Sequence, residues 1–268
     1  MKVCVYGCGA IGSLLAARLS GAGADVSVVA RGAQLEALQS CGITVVNPSG
    51  VTEPAVTVAA TSVAAELGPQ DLVIVTLKSH SLAAAAADIT SLLGRDTAIV
   101  TAGNGLPWWY FYAVPGFASD TPQVGGRLTS VDPAGEIWNA LGPQRAIGAV
   151  IYPAAQLLKP GTVQHLFGDR LTLGEPNGRT TERIQKVAGL LNAAGFDAPV
   201  QAEIRGELWT KLMANAAYNP VSVLTGKTLG SMLDDTEVVA SLTKIMHEVT
   251  AVAHAIHVAI PVAPQHML

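Results

Sequence analysis

The sequence predicts an α/β domain built on a parallel sheet, followed by an all-helical domain. Three observations carry this. In the first part, short β-branched runs alternate with helix-like segments, and strands alternating with helices make βαβ units with a parallel sheet. A glycine-rich turn joins the first run to the first helix. Beyond the stretch Gly174-Glu175-Pro176-Asn177-Gly178 the strand pattern stops and helical segments follow.

In order along the chain, residues 3–6 form a short β-branched run, and residues 11–19 are helical in composition. There Ile11, Leu14, Leu15, Arg18 and Leu19 fall at helical spacing. Gly21-Ala22-Gly23 stops this helix, and residues 26–29 make the next strand. Residues 72–77 read as a strand, 82–93 as a helix, and 98–101 and 147–152 as further strands. The alanine run at 83–87 fits a helix packed closely on a sheet. Residues 174–178 read as a linker, which divides the chain into 1–174 and 175–268. In the second part 180–194, 203–219 and 235–258 look helical, and no internal repeat is visible.

Composition narrows the function classes. The chain has 268 residues, 50% hydrophobic and 13% charged, with a formal net charge of −4. That apolar content excludes intrinsic disorder, and the acidic balance argues against a nucleic-acid binder. Mean hydropathy is +0.39, yet no unbroken apolar stretch of about 20 residues suited to a membrane span is present. The first residues are interrupted by Gly7, Gly9, Gly12 and Arg18, so they do not read as a secretion signal. Three cysteines, Cys4, Cys8 and Cys41, make neither a disulfide framework nor a zinc site. The expected setting is the cytoplasm, and no metal is implied.

The most specific local motif is Gly7-Cys8-Gly9-Ala10-Ile11-Gly12, a G-x-G-x-x-G that follows a strand and opens a helix. Gly7 permits the tight turn, Gly9 lets backbone approach a pyrophosphate, and Gly12 lets helix pack on strand. The motif marks a Rossmann-type dinucleotide site with phosphates at the helix N-terminus. At the end of the second strand an NAD site places an acid against the ribose 2′-hydroxyl. Here the strand ends Val28-Val29-Ala30-Arg31. A cation able to pair with a 2′-phosphate argues for NADP(H); the competing reading of Arg31 is a solvated loop residue. Lys78 and Asn104 follow two later strands, where an open sheet holds its ligand. Lys78 equally suits a solvated strand end, and Asn104-Gly105 an ordinary turn. His80 is assigned to the surface.

A second pattern lies at 207–220. Lys211, Asn215 and Asn219 recur every four residues, with Tyr218 close to the same face of an otherwise apolar helix. A single lysine among neutral amides, with no acid between Lys211 and Pro220, reads as a ligand-facing stripe. Desolvation of that lysine moves its pKa toward neutrality, which suits a general acid. The alternative is a packing helix with satisfied polar groups.

Taken together, the glycine turn with Arg31, Lys78, Asn104-Gly105, and Leu208-Trp209-x-Lys211-Leu212-x-x-Asn215-x-x-x-Asn219-Pro220 resemble the ketopantoate reductase (2-dehydropantoate 2-reductase) family. Gly161-x-Val163-x-His165 and Leu173-Gly174-Glu175 resemble its closing strands. The resemblance implies an N-terminal Rossmann domain, a helical C-terminal domain and a site in the cleft between them. It implies NADPH-dependent reduction of ketopantoate to pantoate, on the route to pantothenate and coenzyme A. Lys211 is then the general acid, and Asn215, Asn219 and Asn104 contact the small 2-oxo acid. Gly7, Cys8, Gly9, Ala10, Ile11, Gly12, Arg31, Lys78, Asn104 and Ala154 hold NADP(H), with Ala154 beside the nicotinamide ring. A homodimer is expected on general grounds.

Three departures accompany the resemblance. The family continues beyond Pro264-Gln265-His266-Met267-Leu268 with a serine and a glutamate of its site, so a missing final segment is expected. The aromatic run Trp108-Trp109-Tyr110-Phe111-Tyr112 is unusual; it either crowds the cleft and marks another 2-oxo acid, or is a loop packing on the second domain. A further substrate-contacting asparagine of the family has no match in 221–233. Competing functions are a related dehydrogenase for another 2-oxo or 3-hydroxy acid, and a catalytically silent NADP(H)-binding protein.

Overall fold

The computed structural model describes residues 1–114 and 127–268. The chain runs β1 (Lys2–Tyr6), α1 (Ala10–Gly21), β2 (Asp25–Val29), α2 (Gly32–Cys41), β3 (Thr44–Val46), β4 (Ala59–Thr61), β5 (Gln70–Val75), α3 (Leu82–Ile89) and β6 (Leu93–Thr101). It continues through α4 (Glu136–Leu141), β7 (Ala146–Ile151), β8 (Ala154–Lys159), β9 (Thr162–Phe167), β10 (Leu171–Gly174) and α5 (Glu182–Ala193). Three further helices close it: α6 (Ile204–Thr225), α7 (Leu229–Leu233) and α8 (Thr236–Ala255).

Among the described residues, one sheet has seven strands in the order β10-β7-β6-β5-β1-β2-β4. Neighbours from β4 to β7 pair in parallel, and β10 runs antiparallel to β7. The parallel strands are near-continuous Val, Ile and Leu because helices cover both faces. β1 shows this directly, with Val3, Cys4 and Val5 fully buried. A second sheet, β3-β9-β8, lies on the far side of α1. Leu14, Leu15, Ala16, Ala17 and Leu19 of α1 are therefore all buried, as a helix packed on more than one side requires.

The molecule divides into two compact units, Met1–Ala202 and Glu203–Leu268. The break falls later than residue 174, where composition alone places it. The reason is α5: Ile184, Val187, Ala188 and Leu191 belong to the same core as β10 and α1. Backbone bonds also tie Leu171 to Asp197 and Leu173 to Pro199. Residues 174–178 are correspondingly no loose linker. Glu175 is 2% exposed, accepts from Thr181 Oγ1 and is paired with Arg183 through two nitrogens, Nε at 2.8 Å and Nη2 at 2.5 Å. That pairing and hydrogen bonding hold the Arg183 guanidinium above its usual pKa, against the effect of burial.

The second unit has its own core of Met213, Ala217, Met232, Leu242 and Met246. Asp235 caps α8 by accepting from the backbone of Glu237 and Val238 and also pairs with Lys227. α6 continues past Asn219-Pro220 to Thr225, beyond the end that the proline suggests. Pro220 removes one backbone donor but keeps a helical φ. In the exposed last turn, the hydroxyls of Ser222 and Thr225 donate to the Asn219 and Val221 carbonyls.

Candidate functional site

The glycine turn is held from two strands. Gly7 donates to Val29 O at 3.0 Å, and its carbonyl accepts from Thr76 Oγ1 at the end of β5. Gly7 has φ +95°, a left-handed conformation that favours glycine. A Cβ on Gly12 would stand 2.1 Å from Gly7 O, so α1 touches the turn at the only distance a hydrogen permits. A Cβ on Gly9 would meet nothing within 4 Å. The turn is thus packed behind and open in front, and Gly9 presents the first-turn N–H groups of α1 to that opening.

The opening leads into a cleft of about 640 Å³ at the carboxyl ends of β1, β2 and β5. Gly7, Cys8 and Gly9 line it together with Arg31 and Lys78. Arg31 is the exposed residue capping α2, whose first turn contains no acid. Two cations and a row of backbone donors with no opposing carboxylate fit a pyrophosphate carrying an extra phosphate. The residues present therefore fit NADP(H).

Not every expected contact lies here. Ala10 and Ile11 pack against the core of the unit, and Gly12 serves the helix–strand contact instead of the cleft wall. Ala154 is half-buried at the start of β8, opposite Phe167, and is absent from the cleft lining. Asn104 is exposed on the bend after β6, also outside the lining. Its neighbour Gly103 comes to 3.7 Å from Ser79 Oγ, measured from its Cβ direction, beside Lys78. His80 is exposed, as the sequence assigns it, and also lines the cleft, as do Gln34 and Thr76. Gln34 stands three residues after Arg31 and His80 two after Lys78; that spacing was the available signal.

Cys8, within the turn, is buried. Burial pushes its thiol up, against hydrogen bonds from Ser13 and Gln34. Cys4 is pushed up to about 12 by burial. Tyr6, at the end of β1, donates to Asp88 at 2.6 Å; burial and that bond hold its phenol well above the usual range.

In the second unit Lys211 sits half-buried on α6. Burial lowers its ammonium to about 8, the direction expected for a desolvated cation. Asn215 is half-buried on the next turn and Asn219 is exposed one turn later. Tyr218 departs from the stripe: its hydroxyl donates to Met267 O at 2.5 Å, so it braces the C-terminal residues. Trp209 and Met213 are buried, which gives the helix its apolar side.

The aromatic run does not stand open. Trp108 and Trp109 are each 1% exposed. Trp108 meets Trp138 of α4 edge-on at 6.4 Å, and Tyr112 meets the same ring at 6.1 Å. These contacts are with α4, inside the first unit, and not with the second domain on which the loop is expected to pack. Among the described residues no cluster of His, Cys, Asp or Glu could hold a metal, and no helix is long and apolar enough to cross a membrane.

Comparison with known proteins agrees with this geometry. Residues 3–107 match the family described as ketopantoate reductase PanE/ApbA, and residues 203–267 match its C-terminal counterpart. A 2-dehydropantoate 2-reductase of Mesorhizobium japonicum is 44% identical over 263 residues, spanning 98% of this chain and 78% of the relative. A crystal structure from Ralstonia solanacearum MolK2, described provisionally as a ketopantoate reductase, superimposes with a TM-score of 0.91 at 40% identity. It covers 99% of this chain and 80% of that one. The 2-dehydropantoate 2-reductase of Geobacter metallireducens superimposes with a TM-score of 0.81 at 27% identity, covering 100% and 80%. Glycine turn, Arg31 and the Lys211 helix all fall within the matched segments, and the chain belongs to the ketopantoate reductase PanE/ApbA family.

Proposed function

We propose that this chain is an NADPH-dependent reductase of a small 2-oxo acid, with ketopantoate as substrate and pantoate as product, acting in pantothenate and coenzyme A synthesis. The observation that carries the reading is Lys211: an ammonium brought to about 8 by burial, on a helix whose next turns carry Asn215 and Asn219. Bound NADPH supplies hydride to the ketone carbon. As the carbonyl π bond breaks, negative charge gathers on its oxygen, and Lys211 Nζ donates a proton there. The lysine is left as a neutral amine and regains its proton from solvent. Asn215 and Asn219 hydrogen-bond the substrate oxygens, and Asn104 joins them. Arg31 receives the 2′-phosphate and Lys78 the neighbouring charge, while Gly7, Cys8 and Gly9 admit the pyrophosphate. The protein works in the cytoplasm as a homodimer, the commonest arrangement of soluble oligomers.

The test is cofactor oxidation with ketopantoate and a panel of other 2-oxo acids, run with NADPH and with NADH. Oxidation with ketopantoate and NADPH is the expected result, and Arg31→Asp should abolish the preference for NADPH. Turnover confined to another 2-oxo acid would change the substrate while leaving the role of Lys211. NADPH binding without any turnover would overturn the reading in favour of a silent binding protein.

A further inference from the structure

Gln34 occupies a place in the cleft that the reaction itself leaves unexplained. It lies in the first turn of α2, three residues after Arg31, and lines the same cleft wall. Its side-chain amide is fixed from two directions. Gly161, in the turn between β8 and β9, donates its backbone N–H to Gln34 Oε1 at 3.1 Å. Gln34 Nε2 donates to Ser13 Oγ at 3.2 Å, and Ser13 in turn holds Cys8 through its thiol and carbonyl. A backbone N–H can only donate, so the amide oxygen must face Gly161 and the nitrogen must face Ser13. The hairpin turn is seated closely there as well, with Gly161 at 3.2 Å from Ala37 Cβ along its own Cβ direction. One neutral side chain thus joins the helix that begins at Arg31, the glycine turn and the small sheet.

We propose that Gln34 is a specificity-determining residue: it spans the cleft wall beside Arg31 with an uncharged amide, so that a 2′-phosphate meets the guanidinium without an opposing carboxylate. The inference rests on the NADPH reading of the cleft. A glutamate of the same length could keep the framework. One carboxylate oxygen would accept from Gly161, and the Ser13 hydroxyl could turn to donate to the other. The N-terminus of α2 also favours a negative side chain. The only large change is then a charge placed beside the phosphate site.

The experiment measures dissociation constants for NADPH and NADH by cofactor fluorescence, together with melting temperatures, for wild type, Gln34→Glu and Gln34→Met. In Gln34→Glu the NADPH constant should rise about tenfold while that for NADH stays within about twofold, an effect of one added charge at short range. In Gln34→Met both constants should move by the same factor, because the strut is lost without adding charge. An unchanged ratio of the two constants in a folded Gln34→Glu overturns the proposal. If Gln34→Glu does not fold, Gln34→Lys decides: its ratio should shift toward NADPH, and no shift overturns the proposal. A wild-type protein without preference for NADPH refutes the Arg31 reading and takes this inference with it. Wild-type preference with an unmoved variant ratio refutes Gln34 alone.

Discussion

At the glycine turn the groups that meet a ligand are backbone N–H donors, and side chains matter by being absent. On α6 the reverse holds: the backbone is closed into a helix, and the proposed chemistry rests on a single ammonium. The first site is set by packing, since Gly12 and Thr76 fix Gly7 from behind. The second is set by solvation, since burial lowers Lys211. Packed backbone should therefore fail through geometry, and the lysine through charge.

The sharpest break in that contrast is Lys211→Ala. Turnover should fall about 10²–10⁴-fold, as for loss of a general acid, while NADPH affinity measured by fluorescence stays nearly intact. Undiminished turnover would place the acid elsewhere. The glycines give the next largest effect and separate two kinds of damage. Gly12→Ala puts a methyl 2.1 Å from Gly7 O, so the turn must shift; both melting temperature and NADPH affinity should drop. Gly9→Ala meets nothing in the protein, so melting should hold while NADPH affinity falls. Equal melting losses in the two variants would remove the distinction between packed and open faces.

The smallest effect is the dependence on pH. The acid form of Lys211 is present below about 8, so kcat/KM should decline by about tenfold per unit above that point. Lys211→Arg, charged throughout, should lose the decline along with most of the rate. Stability should respond with the opposite sign. Between about 8 and the ordinary 10.5 the unfolded lysine holds its proton while the folded one has released it, so stability gains as pH rises through that window. A denaturant titration at pH 8 and pH 10 measures it.

Much of this was legible in the chain because the signals are local. β1, the glycine turn and β2 follow one another within thirty residues, and Arg31 comes directly after them. The lysine stripe needs only helical periodicity. What escaped is non-local. β3 is three residues long and pairs with Thr162–Gln164, far along the sequence, so no pattern of its own announces it. Gln34 looks like an ordinary helix residue until Gly161 closes on it. The place where Trp108 packs was hidden because its partner Trp138 lies thirty residues away. Tyr218 has helical spacing with Lys211, yet its hydroxyl is claimed by Met267.

The pair of Glu175 and Arg183, its carboxylate enclosed and its guanidinium partly exposed, bears on where this chain can be divided. A carboxylate enclosed at the end of β10 depends on a guanidinium from α5, and cutting between them would strand a charge in the interior at a cost of several kcal/mol. Recombination with other helical modules, in evolution or at the bench, must leave that pair in one piece. The compact unit that holds the pair runs on to Ala202 and the next begins at Glu203, past the strand-like bridge at Val200. A division placed there keeps the glycine turn, Arg31 and the Glu175–Arg183 pair in one unit and Lys211 in the other.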